Sequence, residues 1–193
     1  MRKLTVDDIA DHRAYERERD AFRRYIIDLK RRRRIALGDL LSIVFENTDT
    51  MRWQVQEMAR AERMLTDEAI AEEVAIYNEL VPDDGELSGT LFVELTDEAA
   101  LREWLSRLVN IQHYVHFQLD DGARVDAAPE DEERLTREDV TATVHYLKFR
   151  FSPAARAAFV AGPVRMVVDH PEYQATTDLT DEQRAELAVD LAG

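Results

Sequence analysis

No cysteine occurs anywhere in the chain. That removes disulfides, thiol nucleophiles, iron–sulfur ligation and zinc ribbons together, and it fits a cytoplasmic protein. Glycine is scarce as well, and six residues are too few for a nucleotide cradle. Gly-rich phosphate loops, GxSxG, HExxH and carboxylate-rich calcium loops are all missing. No apolar run approaches the roughly 20 residues needed to span a bilayer. The opening MRKLTVDD lacks an apolar core and a small-residue cleavage site, so no secretory signal is expected. No reaction follows from these absences, and whether the protein is an enzyme stays open.

What is present describes a folded protein. The chain has 193 residues, 45% of them hydrophobic and 34% charged, enough for one well-buried core. We read 1–193 as a single domain: a basic helical segment over 1–34, an α+β core over 35–178 and a C-terminal helix over 179–193. Charge divides the same way. Residues 1–34 hold 12 Lys/Arg against 7 Asp/Glu, and the rest holds 13 against 33. An acidic body repels phosphate backbones, so nucleic acid is not an expected partner. The run Lys30-Arg31-Arg32-Arg33-Arg34 has three readings. It can complement a helix dipole, lie against the acidic body of its own chain, or dock a partner through Arg31, Arg32, Arg33 and Arg34.

Periodicity supplies the elements. Tyr15, Phe22, Tyr25, Ile26 and Leu29 share one face of a helix expected over 12–33. Residues 40–46 alternate as a strand that runs into a helix over about 50–64, with Asn47, Thr48, Asp49 and Thr50 providing turn and cap chemistry. Further helices are expected over 66–78, from Thr96 to about 108, after Pro153, and over 180–191. Strands are expected over 89–95, over 113–125 as a hairpin turning at Asp121-Gly122, over 140–151 and over 164–170. Residues 127–139 read as a mobile acidic loop. At least five strands without regular β-α-β alternation indicate an α+β fold: a mainly antiparallel sheet carrying a long N-terminal helix and several covering helices.

Two side-chain groups are candidates for chemistry. His113, His145 and His170 each share strand parity with apolar residues, and a buried imidazole needs its nitrogens satisfied. They are either three ordinary core histidines or, with Glu57 or Glu62 from a covering helix, a site for one Fe, Mn or Zn ion. The second group lies at the strand–helix join, where Arg52, Gln56 and Arg60 form one ridge. Such a ridge either pairs with its own helix neighbours or holds a carboxylate or phosphate through Arg forks.

The combination of KLTVDDI, RRRRIALGD, FENTDTMRWQVQEMARAER, AEEVAIYNELVP, LSGTLFVEL and DHPEYQATTDLT resembles the domain-of-unknown-function 3501 family over essentially the whole chain. The family has no assigned catalytic residues. The resemblance implies an accessory or adaptor protein of bacterial redox metabolism, with rubrerythrin-like or iron–sulfur oxidoreductase proteins as partners. The alternative, read from the residues, is a metal-binding protein or metalloenzyme that uses the core-facing histidines.

Overall fold

The computed structural model describes residues 1–130 and 140–192. Long helices form where a cap and an apolar stripe coincide. Helix α1 (His12–Arg33) starts at Asp11, whose carboxylate accepts from the Arg13 and Ala14 amides at 2.9 and 3.0 Å, and it ends in four cations that complement its dipole. Helix α2 (Thr48–Ala61) opens on a reciprocal box. The Thr50 amide donates to Asn47 Oδ1 at 2.9 Å, and the Asn47 amide donates to Thr50 Oγ1 at 2.8 Å. Helices α3 (Asp67–Asn78), α4 (Glu98–Arg107), α5 (Pro153–Ala161) and α6 (Asp181–Ala192) complete the set among the described residues.

Eight strands form one antiparallel sheet in the order β1-β2-β3-β6-β5-β4-β7-β8. They are β1 (Arg34–Leu37), β2 (Leu41–Glu46), β3 (Glu86–Val93), β4 (Val115–Leu119), β5 (Arg124–Glu130), β6 (Val144–Arg150), β7 (Val164–His170) and β8 (Tyr173–Asp178). The sheet curls until its edges meet as a nearly closed barrel. The seam is bridged by side chains: Tyr173 Oη donates to Leu37 O and Thr177 Oγ1 to Ala36 O, each at 2.6 Å. The α6 residue Gln183 adds a bond from Nε2 to Arg34 O at 2.7 Å. The carbonyls of Arg34, Ala36 and Leu37 are thereby taken up, which blunts an edge strand that would otherwise invite another chain.

Alternate residues point into the barrel and fill it. Phe117 sits among Phe45, Phe149, Phe151 and Phe159, with ring centroids 5.0 to 5.8 Å apart. Gly89 makes this packing possible: a Cβ there would lie 2.7 Å from Ile43 Cδ1. A second core of Leu4, Ile9, Met51, Val55, Val74 and Val81 fastens the N-terminal segment to α2 and α3.

The α+β class and the antiparallel sheet match the sequence reading; the strands expected over 89–95 and 140–151 run over Glu86–Val93 and Val144–Arg150, and three further details differ. Strands β1 and β8 were not expected: RIAL continues a basic run, and YQATTD carries only Tyr173 and Ala175 as residues that pack on the core. Residues 127–130 belong to β5 and pair with β6, because Ala127 to Glu130 face Phe149 to Tyr146 in register; the remainder of the expected loop lies outside the described residues. Strand β4 starts at Val115 because Asn110, at φ 68°, turns the chain into a 3-10 helix over Ile111–His113.

Candidate functional site

The three histidines have separate environments. His113 is exposed on that 3-10 turn, so the strand parity assigned to it does not apply. His145 is buried on β6, with Nε2 2.9 Å from Thr141 Oγ1 and 3.2 Å from Ala142 O. His170 closes β7, with Nε2 3.0 Å from Val109 O and Nδ1 accepting from the Glu172 amide at 3.1 Å. Local bonds thus occupy the ring nitrogens of His170 and Nε2 of His145. Among the described residues, no three His, Cys, Asp or Glu side chains converge as a metal shell. Glu57 is bound elsewhere: Arg19 donates to both its oxygens at 2.8 and 2.7 Å, and Tyr15 Oη donates at 2.6 Å. The Arg19 fork holds the Glu57 carboxyl below its ordinary range, while burial and that carboxylate push the Tyr15 phenol up. Glu62 is exposed at the C-terminal cap of α2.

The ridge on α2 is a fastening device. Arg52 Nε donates to Asp8 O at 2.8 Å, and its guanidinium lies 5.0 Å from the Phe22 ring centre. Gln56 exchanges two bonds with the Ala10 backbone, both at 2.9 Å. Arg60 pairs with Glu16. All three therefore tie residues 8–22 to α2.

The basic run splits in two. Arg33 is only 1% exposed and pairs with Asp190 and Glu186 on α6 while donating to Phe45 O at 2.8 Å. Arg32 pairs with Asp28 and Glu186. Neither points toward an incoming molecule, which corrects the expectation that all four arginines dock a partner. Arg31 and Arg34 line a groove along α1, and the Arg31 guanidinium also reaches Glu182 of α6 at 3.7 Å. Seven residues line it: Arg23, Ile26, Ile27, Lys30, Arg31 and Arg34, with Trp53 from α2 as the far wall, around a volume of about 470 Å³. Its floor is apolar, and Ile27 is 56% exposed there. Its rim is cationic. Arg34 is steadied by Ser42 Oγ at 2.7 Å and Glu94 at 2.5 Å, and Arg31 by Asp28 at 3.3 Å. Arg23 has no ion pair among the described residues.

Lys30 joins this groove to a buried polar strip on the outer face of the sheet. Its Nζ lies 3.9 Å from Glu46 Oε2, while Thr90 Oγ1 donates to Glu46 Oε1 at 2.9 Å. Ser88 stands opposite both Glu46 and Lys148, and Lys148 and Arg150 pair with Glu86 at 3.3 and 3.1 Å. Each carboxylate has a cation within 4 Å, while Glu46 Oε2, Glu86 Oε1 and Ser88 Oγ are buried without a hydrogen-bond partner among the described residues. Periodicity missed the groove because Arg23, Ile27 and Lys30 fall beside the buried stripe of α1. The signal was the doubled Ile26-Ile27, whose second member has no place on that stripe.

The family model described as "Protein of unknown function (DUF3501)" matches residues 3–191. A crystal structure at 1.90 Å of a novel protein of unknown function from Burkholderia pseudomallei K96243 is 32% identical. The match covers 98% of this chain and 100% of that one, with a TM-score of 0.90. No curated protein matches the chain.

Proposed function

The chain belongs to the family described as Protein of unknown function (DUF3501), and we propose that it works as a docking module that seats an acidic, apolar-faced segment of a partner protein in the α1 groove. One observation carries this reading: an apolar groove with exposed Ile27 on its floor and half-buried Trp53 as its wall, ringed by Arg23, Lys30, Arg31 and Arg34 on a protein of net charge −15. A local cationic rim on an acidic molecule selects partners by charge pattern, while the apolar floor supplies the area that leaves water. The barrel interior supports the same reading, since phenylalanine rings fill it. A rubrerythrin-like or iron–sulfur oxidoreductase protein carrying such a segment is the source we propose.

The test is calorimetric titration with synthetic amphipathic peptides carrying Glu or, as a control, Lys on the polar flanks. The Glu peptide should bind wild type and lose at least tenfold in affinity to the Ile27→Glu variant, whose changed side chain is already at the surface. Equal affinity for Glu and Lys peptides would overturn the proposal.

A further inference from the structure

We propose that the occupant of the groove is an α-helix of two to three turns, antiparallel to α1; this rests on the docking reading above. The lining positions on α1 are 23, 26, 27, 30 and 31, and Arg34 follows as the first residue of β1. The five helical positions follow the i, i+3, i+4, i+7 rule of a single helix face and continue it to i+8. At 1.5 Å per residue that stripe is about 12 Å long, a little over two helical turns.

An extended peptide gains its affinity from backbone bonds to a free strand edge. The nearest edge, β1, has the carbonyls of Arg34, Ala36 and Leu37 already bonded to Gln183, Thr177 and Tyr173. The groove itself offers only side chains. A helix satisfies its own backbone, so it is the form of peptide that such a wall can bury without orphaned N–H and C=O groups.

Direction follows from charge. Three of the four rim cations, Lys30, Arg31 and Arg34, crowd the C-terminal end of α1, and Arg23 stands about two turns away. Acidic residues favour the first turn of a helix, where the dipole end is positive. An occupant that puts its acidic first turn against Lys30, Arg31 and Arg34 runs antiparallel to α1, with one further acid two turns on to meet Arg23. Its apolar residues then face Ile26, Ile27 and Trp53.

The experiment uses the full chain with Trp104→Phe, which leaves Trp53 as the only tryptophan. Two synthetic 14-residue peptides of near-identical composition are compared. One is an amphipathic helix with Leu on one stripe and Glu on its flanks; the other carries Pro at its centre. The helical peptide should change Trp53 emission saturably, and the Pro peptide should bind at least tenfold more weakly. A nitroxide at the helical peptide's N-terminus should broaden the amide signals of Arg31 and Arg34 more than that of Arg23. Equal binding of both peptides overturns the helical occupant while leaving the docking reading in place. The reversed broadening pattern overturns the antiparallel orientation. Failure of both peptides to bind overturns the docking reading as well.

Discussion

At the scale of residues, the buried ion pair decides most. Arg33 is enclosed with Asp190, 1% and 2% exposed, and joins α1 to β2 and α6. Removing one partner strands the other charge, so Arg33→Ala should cost about 3–5 kcal/mol in urea unfolding. The paired change Arg33→Met with Asp190→Leu should recover most of that loss, because the desolvation of two charges disappears with them. Glu57 gives a pH signature. Its folded carboxyl lies below the ordinary 4.5 because Arg19 bonds it, so its contribution is complete above about pH 4.5 and is lost as pH falls through the lowered value. Glu57→Gln should therefore be less stable at pH 7, by about 1–3 kcal/mol, and should show a shallower acid-side decline in melting temperature. His145 and His170 were legible as buried from alternation alone. Their partners were not, because Ala142 O and Val109 O come from backbone whose path the alternation pattern does not record.

At the scale of elements, the seam between β1 and β8 is the unusual join. Side chains from β8 and α6 stand in for a backbone ladder, and Tyr173 does the most, donating to Leu37 O and accepting from the Leu40 amide at 3.2 Å. Tyr173→Phe should lower stability by about 1–3 kcal/mol, since each lost bond is worth about 0.5–1.5. A fall of a few degrees in melting temperature, with faster amide exchange confined to β1 and β8, is the expected result. The long helices were readable in advance because Asn47 and Thr66 stand as caps before α2 and α3 and because the apolar residues of α1 repeat at helical spacing. The two seam strands were not. Four residues of RIAL are too short to show a period against the arginines before them, and YQATTD offers only Tyr173 and Ala175 on its half-buried face, too few to stand out as a strand. What makes each of these segments a strand is its neighbour across the sheet, which local pattern does not contain.

At the scale of the whole molecule, charge is segregated so that one helix does two jobs. Arg32 and Arg33 hold α1 to α6, while Arg23, Lys30, Arg31 and, just past the helix, Arg34 line the groove, with Arg31 also 3.7 Å from Glu182 of α6. A basic helix on an acidic body was legible from composition, but the division of labour depends on which side of α1 meets α6. Binding through the rim should weaken as salt rises, because the Debye length shrinks from about 10 Å at 0.1 M to about 3 Å at 1 M. The measurement that bears most directly on the docking account is a charge swap. Arg23→Glu and Arg31→Glu are combined in one chain, and its affinity for the Glu-flanked helical peptide and for a Lys-flanked twin is compared with that of wild type. The account expects the variant to lose the Glu peptide at least tenfold and to gain the Lys peptide at unchanged melting temperature. A variant that binds both peptides as wild type does would contradict it.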